Sequence, residues 1–545
     1  MQNVVELSAR NPRLRRMMKV LVCDPIAKRG VELLRQTPGL TVEERHGLKG
    51  ADLLAAVADV DAIAVRSETK ITREVLAAAK KLRVVGRAGV GVDNVDVEAA
   101  TERGVIVMNT PGGNTISTAE HTISLMMALA RNIAQACATL KGGKWDRKSF
   151  QGVELYNKTL GIIGTGRIGG EVARRAVAFG MRVLAYDPYL TVGRAKALQV
   201  EMVELNEIFT QADFITVHTP LTDQTRGIVN KAAFEKMKKG VRIINCARGG
   251  LVNEADLVEA VQSGKVAGAA LDVYETEPPP MDSPLFKLPN IIVTPHLGAS
   301  TSEAQESVGI EIAQAIAEVL GGGGIRNAVN MPSLDAKTLA VLKPYIDFAE
   351  KLGRLLAQTG PRRCEKLVVH YSGRVSEMDT NPISRSVLVG FLRSAEGREV
   401  NFVNAPIIAS TIGLKVEETR SSAQSDYAEL ITVESHTDGK HSSVSGTFYG
   451  SLNNPRIVRL NDVPVESVPK GVLFIMQNKD RPGIVGWIGT IMGKHKVNIA
   501  QMSLGRDKLG GTALTLLNLD SEPNEAALAE IKADKDIYGV TVAKL

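Results

Sequence analysis

The stretch TLGIIGTGRIGGEVARRAVAFG, residues 159–180, predicts the fold of the middle of this chain. Its apolar start, TLGII, is typical of a buried strand, and a helix-like segment follows three closely spaced glycines. Gly164 permits a tight turn, Gly166 lets a pyrophosphate approach the backbone, and Gly169 allows the helix to pack closely on the strand. The stretch therefore predicts a strand–turn–helix unit that binds a dinucleotide.

The residues around these glycines indicate which dinucleotide binds. Arg167 and Ile168 open the helix, whose free N–H groups and partial positive charge suit phosphates. Asp187 ends the next strand, about 20 residues downstream, where a carboxylate hydrogen-bonds an adenosine ribose. The same carboxylate would repel a 2′-phosphate, so we predict NAD rather than NADP. The alternative is a chance glycine cluster at a turn, but the strand, the helix start and the acidic residue all stand at their expected places.

Short apolar runs alternate with helical segments along the first 320 residues. Strand-like runs occupy 20–24, 61–67, 82–89 and 104–111, and a long helical segment, 116–140, leads into a second series. Such alternation predicts parallel sheets that are covered by helices on both faces. The predicted fold class is α/β, with two doubly wound parallel-sheet domains, one flavodoxin-like and one Rossmann, and a cleft between them.

Composition excludes several classes of protein. A chain of 545 residues is too long for one hydrophobic core, so we expect three or four domains. The net charge of +6 is too diffuse to indicate a nucleic-acid partner, and the apolar stretches are too short for a membrane span. The four cysteines lack metal-ligand spacing, so we expect no metal and a reducing cytoplasm. Residues 1–17 are interpreted as a leader outside the fold, because Glu6 and the short length do not suit a transit peptide.

Three polar residues follow strands of the second series: Arg248 in NCARGG, Glu277 in LDVYETEP and His296 in VTPHLGAS. Ligands of open α/β sheets gather at the carboxyl ends of strands. An imidazole can take a hydroxyl proton near neutral pH, a carboxylate can orient that imidazole, and a guanidinium can grip a substrate carboxylate. Taken singly, each could be structural. Placed together behind a dinucleotide unit, they predict hydride transfer from a secondary alcohol.

These motifs, together with RAGVGVDNVD at 87–96 and MNTPGGN at 108–114, resemble the D-isomer-specific 2-hydroxyacid dehydrogenases over nearly the whole chain. The resemblance implies that Arg248, Glu277 and His296 are the catalytic set. It implies further cofactor contacts, with His296 among them, at Thr219, Pro220, Cys246, Ala247, Asp272 and Gly298.

The first series supplies candidate substrate contacts. Arg66 in VRSETK and Arg87 and Gly89 in GRAGVG follow strands, where arginines and backbone N–H groups suit a phosphate or a carboxylate. The resemblance adds Asn114 to these contacts and assigns the substrate carboxylate to Arg248. The alternative for either arginine of the first series is a solvated surface charge.

The remaining chain predicts two further domains. The predicted division is a substrate domain at 18–115 completed by 302–325, an NAD-binding domain at 116–301, an α+β intervening domain at 331–468 and a terminal domain at 471–545. The terminal βαββαβ order is ferredoxin-like, and it resembles an ACT domain, a small-molecule sensor that often pairs with another copy. The resemblance implies an amino-acid effector, commonly serine, at Asn478, Asp480 and Asn498. A pairing module without a ligand is the alternative.

The resemblance also implies a reaction. It indicates oxidation of D-3-phosphoglycerate to 3-phosphohydroxypyruvate with NAD, the entry step of serine biosynthesis, by a dimer or tetramer under feedback from serine. Charge alone does not separate this substrate from other anionic hydroxy acids. The alternatives are a reductase of 2-oxoglutarate or hydroxypyruvate, and a nucleotide-sensing corepressor or scaffold. The joint presence of Arg248, Glu277 and His296 disfavours the corepressor.

Overall fold

A computed structural model describes residues 16–361, 363–395, 399–422, 426–437 and 439–545. The expected leader lies outside these ranges except for its last two residues. Four sheets form in succession along the chain, two of parallel strands followed by two in which antiparallel pairs predominate. The predicted fold class is therefore confirmed.

The first sheet is parallel and is covered by helices. Its strands are β1 Met18–Val22, β2 Leu40–Glu44, β3 Ala62–Val65, β4 Val84–Arg87 and β5 Ile106–Met108. The helices between them are α1 Lys28–Gln36, α2 Gly50–Val57, α3 Arg73–Ala78 and α4 Val97–Glu102. The strand order, β2-β1-β3-β4-β5, is that of a flavodoxin-like sheet. Every residue of β3 is buried, as expected for a strand with helices on both faces.

The second sheet has seven parallel strands. They are β6 Thr159–Ile163, β7 Arg182–Tyr186, β8 Glu201–Met202, β9 Phe214–Val217, β10 Val241–Asn245, β11 Val266–Leu271 and β12 Ile291–Val293. Its helices are α5 Thr115–Ala130, α6 Ile133–Lys141, α7 Arg167–Ala178, α8 Val192–Leu198, α9 Leu205–Gln211, α10 Lys231–Lys236 and α11 Glu254–Gln262, with a 3₁₀ helix at Pro284–Lys287. The order β12-β11-β10-β9-β6-β7-β8 reverses direction at β6, next to the predicted dinucleotide turn. Ligands bind at such switch points.

The prediction of one helix over 116–140 is wrong. The segment forms α5 and α6, which meet at an angle of 64°. Asn132 between them has φ 55°, a left-handed conformation that ends a helix. The apolar spacing continues through the break, so periodicity alone did not indicate it. Within the described residues no single helix is long and apolar enough to cross a membrane, and α5 and α6 meet that criterion only as this bent pair.

A helix from beyond the second sheet returns to the first. Helix α12, Ser302–Leu320, lies where a helix was expected. Its residues Ile312 and Ile316 pack in the same cluster as Val20 and Val84 of the first sheet. The chain therefore crosses between the two parallel sheets at α5 and again at α12, and a cleft lies between these crossings.

The last two sheets are built differently. The third has β13 Lys366–Gly373, β14 Lys415–Ser421, β15 Glu429–Thr437, β16 Lys440–Phe448, β17 Pro455–Leu460 and β18 Val463–Ser467. Its helices are α13 Ala336–Thr359, α14 Asn381–Ala395 and α15 Ala405–Thr411, with a 3₁₀ helix at Arg374–Glu377. The fourth has β19 Val472–Lys479, β20 Ile499–Arg506, β21 Thr512–Leu519 and β22 Ile537–Lys544, with α16 Ile484–Lys494 and α17 Glu525–Lys532. The fourth follows the predicted βαββαβ order.

The C-terminal half contacts the first sheet through amide side chains. Asn401 donates from Nδ2 to the carbonyl of Gly104 at 3.0 Å, and Asn330 donates from Nδ2 to the carbonyl of Val105 at 2.9 Å. The third and fourth sheets share one hydrophobic core around α13. A displacement of the last sheet would therefore be transmitted to α13.

Candidate active site

The structure brings the three predicted catalytic residues to one edge of the second sheet. Arg248 follows β10, Glu277 follows β11 and His296 follows β12, and these three strands are neighbours. Glu277 Oε2 lies 2.8 Å from His296 Nδ1. The described residues offer no hydrogen-bond partner to His296 Nε2, so that nitrogen is left for a substrate hydroxyl.

Glu277 is held in its ionised form. The N–H of Tyr274 donates to its Oε1 at 3.1 Å. Burial raises the pKa of Glu277, but the hydrogen bond and charge of His296, the Tyr274 N–H and the nearby Arg248 bring that pKa below its ordinary value. An ionised carboxylate at Nδ1 favours the tautomer that carries its proton there. The pair is therefore arranged for Nε2 to accept a proton.

A fully buried carboxylate, Asp272, fixes the loop that carries His296. It accepts hydrogen bonds from the N–H groups of Leu297 at 2.7 Å and Gly298 at 2.8 Å. His121 Nε2, on α5, lies 3.2 Å from Asp272 Oδ1. His296 has φ 56°, a conformation that costs a non-glycine residue about 1–3 kcal/mol. The bonds to the next two residues hold it there.

The predicted dinucleotide turn has the expected geometry. A Cβ at Gly169 would lie 2.1 Å from the carbonyl oxygen of Gly164, so only glycine allows this approach of helix to strand. Gly164 itself has φ 93°. A Cβ at Gly166 would meet nothing within 4 Å, so open space lies above the turn where a pyrophosphate would approach. Arg167 and Ile168 begin α7 directly after it.

Asp187 lies just beyond the end of β7, beside this turn. Its Oδ2 accepts from the N–H of Thr165 at 2.8 Å and from the Thr165 hydroxyl at 3.0 Å. Its Oδ1 accepts from the N–H of Tyr189 at 2.9 Å. The carboxylate therefore ties the turn to the end of β7, at the position predicted for a ribose contact.

The other predicted cofactor contacts line the same edge. Thr219 and Pro220 follow β9, and Cys246 and Ala247 follow β10. Thr219 Oγ1 is buried without a hydrogen-bond partner in the described residues. Burial lowers the pKa of the adjacent His218 to about 4, so that imidazole is neutral at pH 7. An orphaned buried hydroxyl beside an open glycine turn fits a dinucleotide that brings its own polar groups.

Three arginines converge on the cleft from the two parallel sheets. Burial lowers the pKa of Arg87 to about 10, and the positive charges of Arg248 and Arg66 act in the same direction. A Cβ added at Gly89 would lie 1.7 Å from Arg87 Nη1, so the Arg87 guanidinium occupies the space beside that glycine. Arg87 Nε is buried and has no partner in the described residues. Such a cluster attracts a multiply charged anion.

Two residues of the first unit approach the second at this cleft. Asp93 Oδ2 lies 3.5 Å from Arg248 Nε, so a carboxylate of one unit meets a guanidinium of the other. Asn114 precedes α5, and its Oδ1 is buried without a partner among the described residues. Asn114 therefore lies at the junction of the two units, as a substrate contact in the cleft requires.

The predicted effector residues do not meet within one chain. Asn478 is fully buried at one end of the fourth sheet, where its Oδ1 accepts from the Thr515 hydroxyl at 3.1 Å. Asp480 lies at the same end and accepts from Arg506 at 3.1 Å. Asn498 precedes β20 at the other end of the sheet. Asn478 pairs with Ala513 of β21 and Ile499 with Leu519, so the two ends are separated by six residues of β21, or about 20 Å at about 3.3 Å per residue. One chain thus presents two separate halves of the predicted site.

Sequence reasoning missed several residues that the structure places around the site. His121, Asp93 and Asn94 carried no prediction, and neither did Asp24 at the end of β1. The rule that polar residues at strand ends line the site would have selected Asp24. No local signal marks His121, because it belongs to the periodic face of a helix.

The fold and this edge define a dehydrogenase that uses NAD on D-2-hydroxy acids. The family model for the D-isomer specific 2-hydroxyacid dehydrogenase, NAD binding domain, matches residues 123–298. Models for the D-3-phosphoglycerate dehydrogenase intervening domain and the ACT domain match residues 341–461 and 472–536. A crystal structure of D-lactate dehydrogenase from Aquifex aeolicus, complexed with NAD and lactic acid, is 27% identical with a TM-score of 0.51. It covers 58% of this chain and is itself covered completely.

Full-length relatives specify the family. D-3-phosphoglycerate dehydrogenase from Archaeoglobus fulgidus is 44% identical over 97% of this chain and 100% of its own length. The enzyme of that name from Methanocaldococcus jannaschii is 45% identical over the same shares. The chain belongs to the D-3-phosphoglycerate dehydrogenase family.

The contact between Glu277 and His296 leads to a prediction on the rate. In Glu277→Gln the imidazolium that forms during alcohol oxidation loses its carboxylate. We expect kcat to fall roughly 10²-fold, because the positive charge that develops on the ring is no longer stabilised. The measurement is NADH formation at saturating NAD and phosphoglycerate. A kcat within about threefold of wild type would contradict the role of Glu277. Glu275→Gln, on the same loop, is the control.

Proposed function

We propose that this chain oxidises D-3-phosphoglycerate to 3-phosphohydroxypyruvate with NAD, the first step of serine biosynthesis. The observation that carries the proposal is the hydrogen-bonded pair of His296 and Glu277, opposite three converging arginines. The pair suits the removal of a hydroxyl proton. The arginines suit a substrate that bears a phosphate as well as a carboxylate.

The proposed roles follow from the position of each group. Arg248 binds the substrate carboxylate through its planar fork, taking the place of Asp93 as the partner of that guanidinium. His296 accepts the 2-hydroxyl proton at Nε2, while Glu277 stabilises the resulting imidazolium at Nδ1. NAD, when bound at the turn after β6, supplies the acceptor for the hydride that leaves C2. Asp272 keeps the His296 loop in place during the transfer.

The phosphate is assigned to the first unit. Arg66 and Arg87 follow β3 and β4, and Arg87 lies close enough to both Arg66 and Arg248 for their charges to interact. A carboxylate on Arg248 and a phosphate on Arg66 and Arg87 would place the 2-hydroxyl between the two units, near His296. An acid without a phosphate would leave the half-buried guanidinium of Arg87, whose Nε has no partner in the described residues, without an anion, which is costly.

The activity is tested by following NADH absorbance with purified protein, NAD and D-3-phosphoglycerate. We expect turnover with this acid at a higher kcat/KM than with D-lactate or D-glycerate. If the protein only reduces 2-oxoglutarate or hydroxypyruvate, the proposed reaction class stands but the proposed substrate is wrong. Binding of NAD without any turnover would indicate a nucleotide-sensing corepressor.

We also propose that the protein is a homo-oligomer and that it binds a regulatory effector between two copies of the chain. β20 is an edge strand, and in the described residues its only paired strand is β21. Antiparallel pairing of β20 with the same strand of a second copy would place the start of one strand beside the end of the other. Asn498 of one copy would then approach Asp480 of the other. This arrangement would join the two separated halves, with serine as the effector.

A second surface supports self-association. Helix α6 buries none of its residues. Ile133, Leu140 and Trp145, on and just after this helix, are 54%, 55% and 78% exposed. An apolar surface of this kind is typical of a protein contact. Pairing here and at β20 would give the tetramer that the sequence indicates.

The domain division and the compartment complete the proposal. We assign 18–115 with 302–325 to the substrate, 116–301 to NAD, 331–468 to the intervening domain and 471–545 to the sensor. Each range contains one of the four sheets, and α12 supports the return to the first. The four cysteines are free thiols, which supports a reducing cytoplasm.

The effector proposal predicts a change in serine sensitivity. Asp480→Asn removes the charge that binds an ammonium group, and one charge-assisted bond is worth about 1.5–3 kcal/mol. We expect the serine concentration for half-inhibition to rise at least roughly tenfold. Initial rates over a serine series measure it, with Glu530→Gln, which changes a partly exposed carboxylate of α17, as the control. Equal sensitivity in both variants would remove Asp480 from the effector site.

A further inference from the structure

A buried carboxylate holds the loop that carries Arg66. Asp24 follows β1 and is 1% exposed. Its Oδ2 accepts from the N–H of Arg66 at 2.6 Å and from the N–H of Glu68 at 3.2 Å. Its Oδ1 accepts from the N–H of Thr69 at 3.1 Å and from the Thr69 hydroxyl. Three backbone N–H groups of the loop, those of residues 66, 68 and 69, therefore depend on one side chain that follows another strand.

The loop is fixed from its other side by an amide. Asn94 donates from Nδ2 to the carbonyl of Arg66 at 3.1 Å and to the carbonyl of Thr69 at 2.7 Å. The N–H of Ile71 donates to the backbone carbonyl of Asn94 at 2.8 Å. Asn94 is the neighbour of Asp93, which contacts Arg248. The same two residues thus link the Arg66 loop to the cleft.

A carboxylate in this position has a cost that the loop must offset. Within the described residues Asp24 forms no ion pair; its hydrogen-bond donors are uncharged groups of residues 66–69, and the positive charge of Arg87 acts on it from a longer distance. Hydrogen bonds to the ionised form can stabilise such a buried carboxylate. All of these donors belong to residues 66–69, so the charge and the loop conformation stabilise each other. Removal of the charge would weaken the hydrogen bonds that hold the loop in its present conformation.

We propose that Asp24 is a positioning residue for the substrate, because its buried carboxylate holds the loop at 66–69 so that Arg66 stays beside Arg87 and Arg248. The inference rests on the proposed function, since it assigns Arg66 to the substrate phosphate. Asp24 does not touch the substrate. The loss of one charge-assisted hydrogen bond to the phosphate lowers affinity roughly tenfold or more, so a small shift of the loop is sufficient for a measurable rise in KM.

The chain offers a matched control in the same sheet. Asp61 is also a buried carboxylate, 5% exposed, and its Oδ2 accepts from the N–H of Lys19 at 2.9 Å. It precedes β3, at the edge of the sheet opposite to the cleft. Asp24→Asn and Asp61→Asn each replace a buried charge by its isosteric amide. Both should lower the thermal stability, but only the first should disturb the Arg66 loop.

The experiment compares steady-state kinetics of wild type, Asp24→Asn and Asp61→Asn. We expect Asp24→Asn to raise KM for D-3-phosphoglycerate about tenfold or more, with a change in kcat and in KM for NAD of less than about threefold. Asp61→Asn should leave both KM values near those of wild type. A rise in phosphoglycerate KM no larger than that of Asp61→Asn would overturn the proposal, as would an equal rise in KM for NAD.

Two additions keep the test decisive. If Asp24→Asn does not fold, Thr69→Val removes one donor to the carboxylate and should raise KM for phosphoglycerate in the same direction by about threefold. An unchanged KM in that variant would count against the proposal. Calorimetric titration with inorganic phosphate gives a readout without turnover. If wild type shows no activity but binds phosphate more tightly than Asp24→Asn does, the proposed reaction fails and the positioning role stands. If the two bind phosphate equally, the positioning role fails.

Discussion

Replacement of His296 by asparagine should reduce kcat for D-3-phosphoglycerate oxidation roughly 10²–10⁴-fold, the contribution of a positioned general base. An amide cannot accept the hydroxyl proton at any pH near neutrality, although its NH2 group can still donate a hydrogen bond to Glu277. Asparagine is the appropriate substitution for a second reason. Residue 296 has φ 56°, and asparagine tolerates this conformation better than most residues. The loss can therefore be attributed to chemistry rather than to a displaced loop.

The measurement is NADH formation under saturating substrate, together with NAD binding followed by fluorescence. His296 is one of the predicted cofactor contacts, but the turn at Gly164–Gly169 follows β6 and is unchanged, so we expect the dissociation constant for NAD to rise by less than about threefold. A residual kcat within tenfold of wild type would show that another group removes the proton. His495→Asn is the control for the loss of an imidazole that is paired with a carboxylate, since His495 follows α16 and its Nε2 lies 2.9 Å from Glu530; we expect wild-type kcat in that variant.

Replacement of Arg248 by lysine should have the second largest effect. The lysine keeps the positive charge but loses the planar fork that forms two parallel bonds with a carboxylate. The loss of about two charge-assisted hydrogen bonds, at about 1.5 kcal/mol each, corresponds to a fall in kcat/KM of roughly 10²-fold. It should also release Asp93, which now lies 3.5 Å from the guanidinium.

The kinetic pattern distinguishes this role from a purely structural one. We expect kcat/KM for phosphoglycerate to fall while KM for NAD remains within about threefold, because the Arg248 guanidinium faces Asp93 of the first unit and is assigned to the substrate carboxylate. Arg242→Lys, in the strand itself, is the control. Its guanidinium lies over the ring of Phe214 at 5.4 Å from the centroid, away from the cleft. An equal loss of kcat/KM in both variants would mean that Arg248 affects the activity only by stabilising the fold.

Local pattern was sufficient for the parallel sheets and the dinucleotide turn. Alternating apolar runs and helical segments predict a βα series because a parallel sheet must be covered on both faces. The spacing of the glycines predicts the turn, and the structure shows why a glycine is needed at 169. A Cβ there would lie only 2.1 Å from the carbonyl oxygen of Gly164. The break between α5 and α6 was not predictable, because the apolar spacing runs through Asn132 without interruption.

The sequence by itself determined the fold class, the order of elements and the strand ends at which polar side chains gather, because these depend on periodicity, glycine spacing and residue type over short ranges. Only the tertiary structure decided which distant groups meet. It placed Asp24 behind the Arg66 loop, His121 on Asp272 and Asp93 against Arg248, and it separated Asn498 from Asp480 by the length of a strand. The three contacts join residues that are 42 to 155 positions apart in the sequence, and no local pattern encodes them, because they depend on how twisted sheets and helices pack.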